Sequence, residues 1–255
     1  MRSLNPRWSQ DDFHARLAGL AAIQKGGRVV DLGCGGGLTV SHLLTAAGTS
    51  GEVVAVNRGT KGFAAIGERY PEPVATGRLR LVEHDIAAPL PFASARFDSV
   101  VCQNVIECIS DREGLLAEIH RILRPGGVAV IGHNDWDGVL LASDDRELTR
   151  RMVHGYADHT EHWQDTSEGQ IGRLLPGLVA RSPFSEAATE TVLFVDLSLS
   201  EDSYAMEHLE AMVRLSAEFG VSSESARAWL NGLRARSDAG QFYYALPWTY
   251  VVARR

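Results

Sequence analysis

The feature that most constrains the fold is the stretch VVDLGCGGG at residues 29–37. It places a short β-branched run before a turn with four glycines, and apolar residues at helical spacing follow over 38–47. Glycine is costly in ordered backbone, so this density indicates positive φ angles or another group approaching the main chain closely. The order strand, glycine turn, helix predicts a parallel α/β sheet whose turn binds a nucleotide-like ligand.

Strand and helix patterns continue to alternate along the chain. Because helices link the strands, we predict parallel pairing with right-handed crossovers, in a doubly wound, mostly parallel α/β sheet of seven strands with helices on both faces. The predicted strands are 28–32, 51–56, 79–83, 97–102, 128–132, 191–199 and 241–253, and the predicted helices are 6–24, 38–47, 61–70, 111–123, 144–159, 170–180, 201–219 and 223–236.

Changes in composition and pattern along the sequence predict four segments. Residues 1–25 hold a capped helix that starts near Ser9 and is part of a cap, and 26–135 form the ligand-binding core. Residues 136–188 supply cap and substrate helices, and 189–255 hold the last two strands with inserted helices. Ligands of such sheets bind beyond the carboxyl ends of the strands, so we expect the cap to cover the crevice there.

Composition excludes several classes of function. A formal net charge of −7 and scattered basic residues argue against a nucleic-acid partner. Residues 1–13 lack an apolar run and no segment is long enough to span a membrane, so we expect neither a signal peptide nor an anchor. Cys34, Cys102 and Cys108 form no CxxC pair and lie in or beside apolar runs, which favours buried, reduced thiols in a cytoplasmic protein. Assembly into a homodimer is left open.

Two motifs together narrow the class of ligand. The stretch VVDLGCGGG and the later LPFASARFDSVVCQNVIECISDREGLLAEIHRILRPGGVAVI, residues 90–131, resemble the class I S-adenosylmethionine-dependent methyltransferases, in particular their ubiquinone/menaquinone-type branch. The resemblance is strong over 28–137 and looser over 138–184. It implies S-adenosylmethionine as cofactor and methyl transfer to an oxygen, nitrogen or carbon atom of a small organic acceptor.

The resemblance also implies which residues hold the cofactor. The glycine turn would hold the methionine and ribose portions, Asp85 would accept from the adenine amino group with Ile86 beside the ring, and the backbone around Gln103 and Asn104 would meet the amino acid moiety. Including the positions after the second strand, the predicted cofactor residues are Asp31, Gly33, Cys34, Gly35, Gly37, Asn57, Arg58, Asp85, Ile86, Gln103 and Asn104.

One position departs from the family pattern. The family usually ends the second strand with a carboxylate that accepts from both ribose hydroxyls, whereas this chain has Asn57 there. An amide offers one acceptor oxygen and no charge, so affinity for the cofactor would be lower. The cations Arg58 and Lys61 that follow suit the extra phosphate of NADP, which leaves an NADP-dependent reductase as an alternative. A scaffold, or an enzyme that binds the sulfonium without transferring its methyl group, is a further alternative.

Methyl transfer needs alignment, exclusion of water and a base where the nucleophile carries a proton. Relatives in this branch have a DxDWD-like segment after the fifth strand, then a helix and a lone histidine, which implies catalytic roles for Asp135 and for His159 as general base. His133, His154 and His162 are rivals. The spacing of His154, His159 and His162 is irregular on a helix face and no carboxylate-rich set completes it, which argues against a metal site. The predicted substrate residues are Trp8, His14, His133, Trp136 and Trp163.

Overall fold

The computed structural model describes residues 9–201 and 203–255, so Trp8, a predicted substrate residue, lies outside the described residues. The described chain forms one twisted sheet flanked by helices. Its strands are β1 (Arg28–Leu32), β2 (Glu52–Asn57), β3 (Leu79–Glu83), β4 (Phe97–Gln103), β5 (Leu123–Asn134), β6 (Leu140–Leu141), β7 (Glu186–Asp196) and β8 (Tyr244–Arg254).

The strand order is β3-β2-β1-β4-β5-β8-β6, with β7 paired along the other edge of β8. Strands β1 to β5 pair in parallel, and β8 runs antiparallel to both β5 and β7. The predicted doubly wound, mostly parallel sheet is therefore confirmed. The eighth strand, β6, was not predicted because its two residues carry no periodic pattern and pair only with Tyr244 and Ala245.

The helices are distributed over both faces of the sheet. Ser9 begins the first of them through a capping box with Asp12, as predicted. The helices are α1 (Gln10–Leu20), α2 (Val40–Ala47), α3 (Phe63–Arg69), α4 (Pro71–Ala75), α5 (Arg112–Ile122), α6 (Arg146–Asp158), α7 (Ile171–Ala180), α8 (Tyr204–Leu215) and α9 (Ser223–Asp238).

Strand side chains alternate between two hydrophobic cores, one on each face of the sheet. In β1, Val29 joins the core under α1 and α2, while Val30 and Leu32 join the core under α5 and α7. Both faces of the central strands are buried, which explains their nearly continuous apolar sequences. Among the described residues, no helix is long and apolar enough to cross a membrane.

The later part of the chain differs from prediction in its details. Strand β7 starts at Glu186, five residues before the predicted 191, because polar residues at its start pair with the end of β8. Helices α6, α8 and α9 pack against one another, and this group is called the cap below. Helix α7 falls inside the predicted cap range but packs on β5 and β8, because its apolar side joins the core shared with α5.

Candidate functional site

The glycine turn after β1 is held against the end of β2. The backbone N–H groups of Gly33 and Cys34 both donate to the carbonyl of Val56, at 2.9 Å each. A Cβ on Gly33 would lie 2.3 Å from the Val105 side chain, so only glycine fits there. Gly35 has φ +50°, and a Cβ added to it or to Gly36 would meet no atom within 4 Å. The turn thus presents bare main chain to open space.

Asp31 lies on β1 just before this turn, and its carboxylate has an oxygen without a hydrogen-bond donor among the described residues. Its side chain is buried on β1, and Oδ2 has no hydrogen-bond partner among the described residues. Burial raises the pKa of Asp31 to about 7. An orphaned carboxylate at this depth is costly unless a ligand donates to it.

At the end of β2, the side chains of Asn57 and Arg58 have different hydrogen-bond partners. The Asn57 amide donates from Nδ2 to the carbonyl of Gly59 at 3.0 Å, which leaves its oxygen available as an acceptor. Arg58 donates to Oδ1 of Asp85 at 2.9 Å and to the carbonyl of Trp163 at 2.8 Å. The structure thus joins two predicted cofactor residues with one predicted substrate residue.

Arg58 also donates to Oδ1 of Asp165 at 3.3 Å. The loop that contains Asp165 is held at a second point, Cys108. There Gln164 donates to the Cys108 sulfur at 3.2 Å, and the Asp165 N–H donates to the Cys108 carbonyl. The indole of Trp163 is itself half exposed. The loop between α6 and α7 therefore lies across the carboxyl ends of β2 and β4, fixed by side chains that the sequence motifs did not single out.

Polar side chains also gather where β4 and β5 end. Asn104 adopts φ +51°, and its Oδ1 accepts from the Gln103 side chain and from the backbone N–H of Asn134. The Oε1 of Gln103 and the Oδ1 of Asn134 are both buried without partners among the described residues. These two acceptors, like that of Asp31, lie at carboxyl ends of strands, the edge at which this sheet architecture binds ligands.

A buried acid and imidazole face each other at the same edge. His133 is fully buried on β5, and its Nε2 lies 3.7 Å from Oε2 of Glu107, on the short helical turn after β4. Within the described part of the chain, that Nε2 makes no hydrogen bond. Burial raises the pKa of the Glu107 carboxyl above its ordinary value, against the attraction of His133 and Arg112.

Aromatic side chains from the cap surround this edge. Asn134 donates from Nδ2 to the Tyr204 hydroxyl at 3.2 Å, which ties β5 to α8. Trp136 packs edge-on against Tyr156, with ring centroids 5.4 Å apart, and against His208 at 4.5 Å. Burial, with the nearby Glu107 charge as a further cause, raises the pKa of Tyr156 to about 12. The predicted residue Trp136 therefore lies in an aromatic wall with Tyr156 and His208, and Tyr156 is close enough to sense the Glu107 charge.

Asp135, a predicted catalytic residue, is bound by an arginine that the sequence did not reveal. Its buried carboxylate accepts from the backbone N–H of Arg173 at 3.1 Å and from Nε at 2.6 Å, and the guanidinium Nη2 meets Oδ1 at 2.5 Å. This bidentate pair joins β5 to the start of α7. The contacts are those of a structural anchor, and a catalytic role for Asp135 stays a prediction.

The two remaining predicted histidines have defined partners. His159 follows α6; its Nδ1 lies 3.0 Å from Glu218, and its buried Nε2 makes no hydrogen bond to any described residue. His14, on α1, bonds through Nδ1 to the Thr39 hydroxyl at 2.9 Å, at the end of the glycine turn. Burial lowers the pKa of His14 to about 4, so its ring is neutral near pH 7. The roles of both in catalysis or substrate binding stay predictions.

The cysteines match the expectation of buried, unbridged thiols. Cys34, Cys102 and Cys108 are all buried and free. Burial raises the pKa of Cys34 to about 12 and that of Cys108 to about 11, which keeps both protonated near neutral pH. Ile86 is buried beside Asp85, and its place against an adenine ring stays a prediction.

Comparison with known proteins agrees with this architecture. Residues 30–131 match the Methyltransf_11 family, described as a methyltransferase domain. The chain is 29% identical over 236 residues to an uncharacterized 37.1 kDa protein in transposon TN4556 of Streptomyces fradiae, covering 90% of this chain and 63% of that one. It is 32% identical over 108 residues to demethylmenaquinone methyltransferase of Geobacillus kaustophilus, covering 42% of this chain and 45% of that one. The chain thus spans less than two thirds of the length of either relative.

Among solved structures, a similar fold is found in phosphoethanolamine N-methyltransferase 2 of Haemonchus contortus, in complex with phosphomonomethylethanolamine and S-adenosylhomocysteine. The TM-score is 0.57 at 18% sequence identity, covering 97% of this chain and 52% of that one.

The sheet order and the exposed glycine turn define a doubly wound protein with a nucleoside-type site at the carboxyl ends of its strands. Over its core, residues 30–131, the chain carries a methyltransferase domain of the class I S-adenosylmethionine-dependent type. The predicted class and fold are confirmed, and S-adenosylmethionine is the cofactor of that class.

Proposed function

We propose that the protein transfers a methyl group from S-adenosylmethionine to a nucleophilic atom of a small organic acceptor. The observation that carries the proposal is the set of orphaned polar atoms at one edge of the sheet. Within the described ranges, Asp31 Oδ2, Gln103 Oε1, Asn134 Oδ1 and His133 Nε2 are all buried without partners there. Buried polar groups in native proteins are nearly always satisfied, so this edge is built to receive a polar ligand.

The residues present fit the cofactor of the class. The bare main chain of Gly35 and Gly36 gives a nucleoside room to approach, and Asp31 offers a carboxylate to a cationic amino group. The open Asn57 oxygen suits a ribose hydroxyl, and Asp85 keeps one carboxylate oxygen for an adenine amino group. When bound, the cofactor supplies an electrophilic methyl group on a sulfonium.

The acceptor would lie between the ends of β4 and β5 and the cap. We expect the aromatic side chains of Trp136, Tyr156 and Tyr204 to exclude water there, which methyl transfer requires. Two similar proteins are named for small acceptors, demethylmenaquinone and phosphoethanolamine. The net charge of −7 further supports a small molecule over a nucleic acid.

A general base assists the transfer if the acceptor atom carries a proton. Two histidines have a buried Nε2 without a partner among the described residues, namely His159, the base expected from the sequence, and His133. We keep His159 as a candidate because Glu218 at its Nδ1 orients the ring. Asp135 would act by holding β5 and α7 together beneath the acceptor.

Calorimetry with S-adenosylmethionine, S-adenosylhomocysteine and NADPH tests the proposal. We expect binding of the first two and no heat from NADPH, followed by transfer of a trideuteromethyl label to a member of a small-molecule library, read by mass spectrometry. Binding of NADPH alone would replace the proposal with the reductase alternative. Tight binding of S-adenosylmethionine without label transfer to any compound would favour a non-methylating role.

A further inference from the structure

The protonation state of His133 follows from its partners. Its Nδ1 lies 2.9 Å from the carbonyl oxygen of Asn134, and a carbonyl oxygen only accepts. The proton of the neutral ring is therefore on Nδ1. The lone pair is on Nε2, the atom that faces the Glu107 carboxylate at 3.7 Å.

Two acceptors thus face each other in a buried place. In its ionised form the Glu107 carboxylate offers no proton, and the neutral His133 ring offers none at Nε2. The distance of 3.7 Å exceeds that of a hydrogen bond, and Nε2 has no other partner among the described residues. The arrangement is satisfied only when a proton enters between them or a ligand donates to it.

The charge balance favours uptake of a proton. A buried carboxylate alone is penalised by desolvation, whereas a carboxylate beside an imidazolium is neutral as a pair. The charged groups that face Glu107 are His133, Arg112 and Glu168, and Tyr156 is close enough to sense its charge. Arg112 and Glu168 have opposite signs, so their charges oppose each other beside the Glu107 carboxylate.

We infer that His133 is the general base of the proposed transferase, with Glu107 as its positioning partner, and that the acceptor presents a hydroxyl group. The inference rests on the proposed function. His133 Nε2 takes the hydroxyl proton while the oxygen forms a bond to the methyl carbon. The carbon–sulfur bond breaks with its electron pair left on sulfur, and solvent later removes the proton from the imidazolium. An amine acceptor would not need this base, since its lone pair is available once it is neutral.

Position distinguishes His133 from His159. His133 lies on β5 beside Asn134, whose Oδ1 is one of the orphaned acceptors at the ligand-binding edge of the sheet. His159 lies in the cap, and its carboxylate partners Glu218 and Glu161 are well exposed, at 58% and 40%. A base that water reaches through two exposed carboxylates is poorly suited to a reaction that must exclude water.

A protonation probe tests the inference without knowledge of the natural acceptor. 4-Nitrophenol absorbs visible light as the phenolate and not as the phenol. In the protein saturated with S-adenosylhomocysteine, we expect bound probe to be phenolate at a pH where free probe is mostly neutral. His133→Asn should lower the ratio of phenolate to phenol about tenfold, one pKa unit. Glu107→Gln should lower it less, and Glu107→Asp should restore part of it.

The controls separate this inference from the proposed function. His162→Gln changes an imidazole that is 90% exposed, and its probe spectrum should equal that of the wild type. Thermal unfolding checks that each variant is folded. Neutral bound probe, no probe binding, or an unchanged spectrum in His133→Asn would overturn the inference while leaving methyl transfer intact. Failure of the wild type to bind S-adenosylhomocysteine would instead overturn the proposed function.

Discussion

The ion pair between Asp135 and Arg173 allows a test of whether Asp135 stabilises the fold or acts in catalysis, the role expected from the sequence. Arg173→Met keeps much of the length of the side chain but removes both guanidinium donors from a carboxylate that is only 4% exposed. Among the described residues, only the backbone N–H of residue 173 would remain as a donor. Removing one partner of a buried pair costs about 3–5 kcal/mol. Because the Arg173 side chain is 45% exposed, water screens the pair, and we expect a loss of about 2–3 kcal/mol.

Urea denaturation with a fluorescence readout measures this loss, and the melting temperature should fall by about 4–12 °C. The matched control is Arg181→Met at the other end of the same helix, where the ion pair with Glu113 is 3.6 Å long and exposed on both sides. That variant should lie within about 0.5 kcal/mol of the wild type. Equal stability of the two variants would refute the anchor. If Arg173→Met kept full stability but lost methyl transfer, the result would support a catalytic role for Asp135 instead.

Three further predictions concern the cofactor. Asp31 has a pKa of about 7 without ligand, and a cationic group beside it would hold it ionised, so affinity for S-adenosylmethionine should fall about tenfold from pH 8 to pH 6. Calorimetry should show this loss in the wild type and not in Asp31→Asn; equal slopes would remove Asp31 from the site. Asn57→Asp should tighten binding about fivefold, because a carboxylate makes charge-assisted hydrogen bonds to the ribose, even though the hydrogen bond to the Gly59 carbonyl is lost. Weaker or unchanged affinity would contradict this. Arg58→Ala frees the loop held at Trp163 and Asp165, so stopped-flow release of S-adenosylhomocysteine should quicken about fivefold; an unchanged rate would show that the loop does not retain the cofactor.

The cofactor half of the site was largely predictable because it is local in sequence. A strand, a glycine turn and a helix fix the place of Asp31 and Gly35, and the carboxyl ends of parallel strands meet at one edge whatever the distant chain does. The density of glycines marked the turn from sequence alone, whereas the steric cause at Gly33, its contact with Val105, became visible only in the structure. Strand β6 and the early start of β7 were missed because pairing with β8, rather than periodicity, defines them.

The acceptor half of the site was decided by contacts between distant residues. Nothing in the local sequence around Glu107 indicates that its carboxylate faces His133, 26 positions later. In the same way, no local pattern indicates that Arg173 forms an ion pair with Asp135. A side chain's protonation, burial and partners depend on packing between elements, which one-dimensional patterns do not encode. The sequence by itself therefore determined the sheet, its class and the turn that we propose to meet the cofactor. Only the tertiary structure decided that His133 faces the largely buried carboxylate of Glu107 while His159 faces exposed ones, because that depends on where β4, β5 and the cap meet.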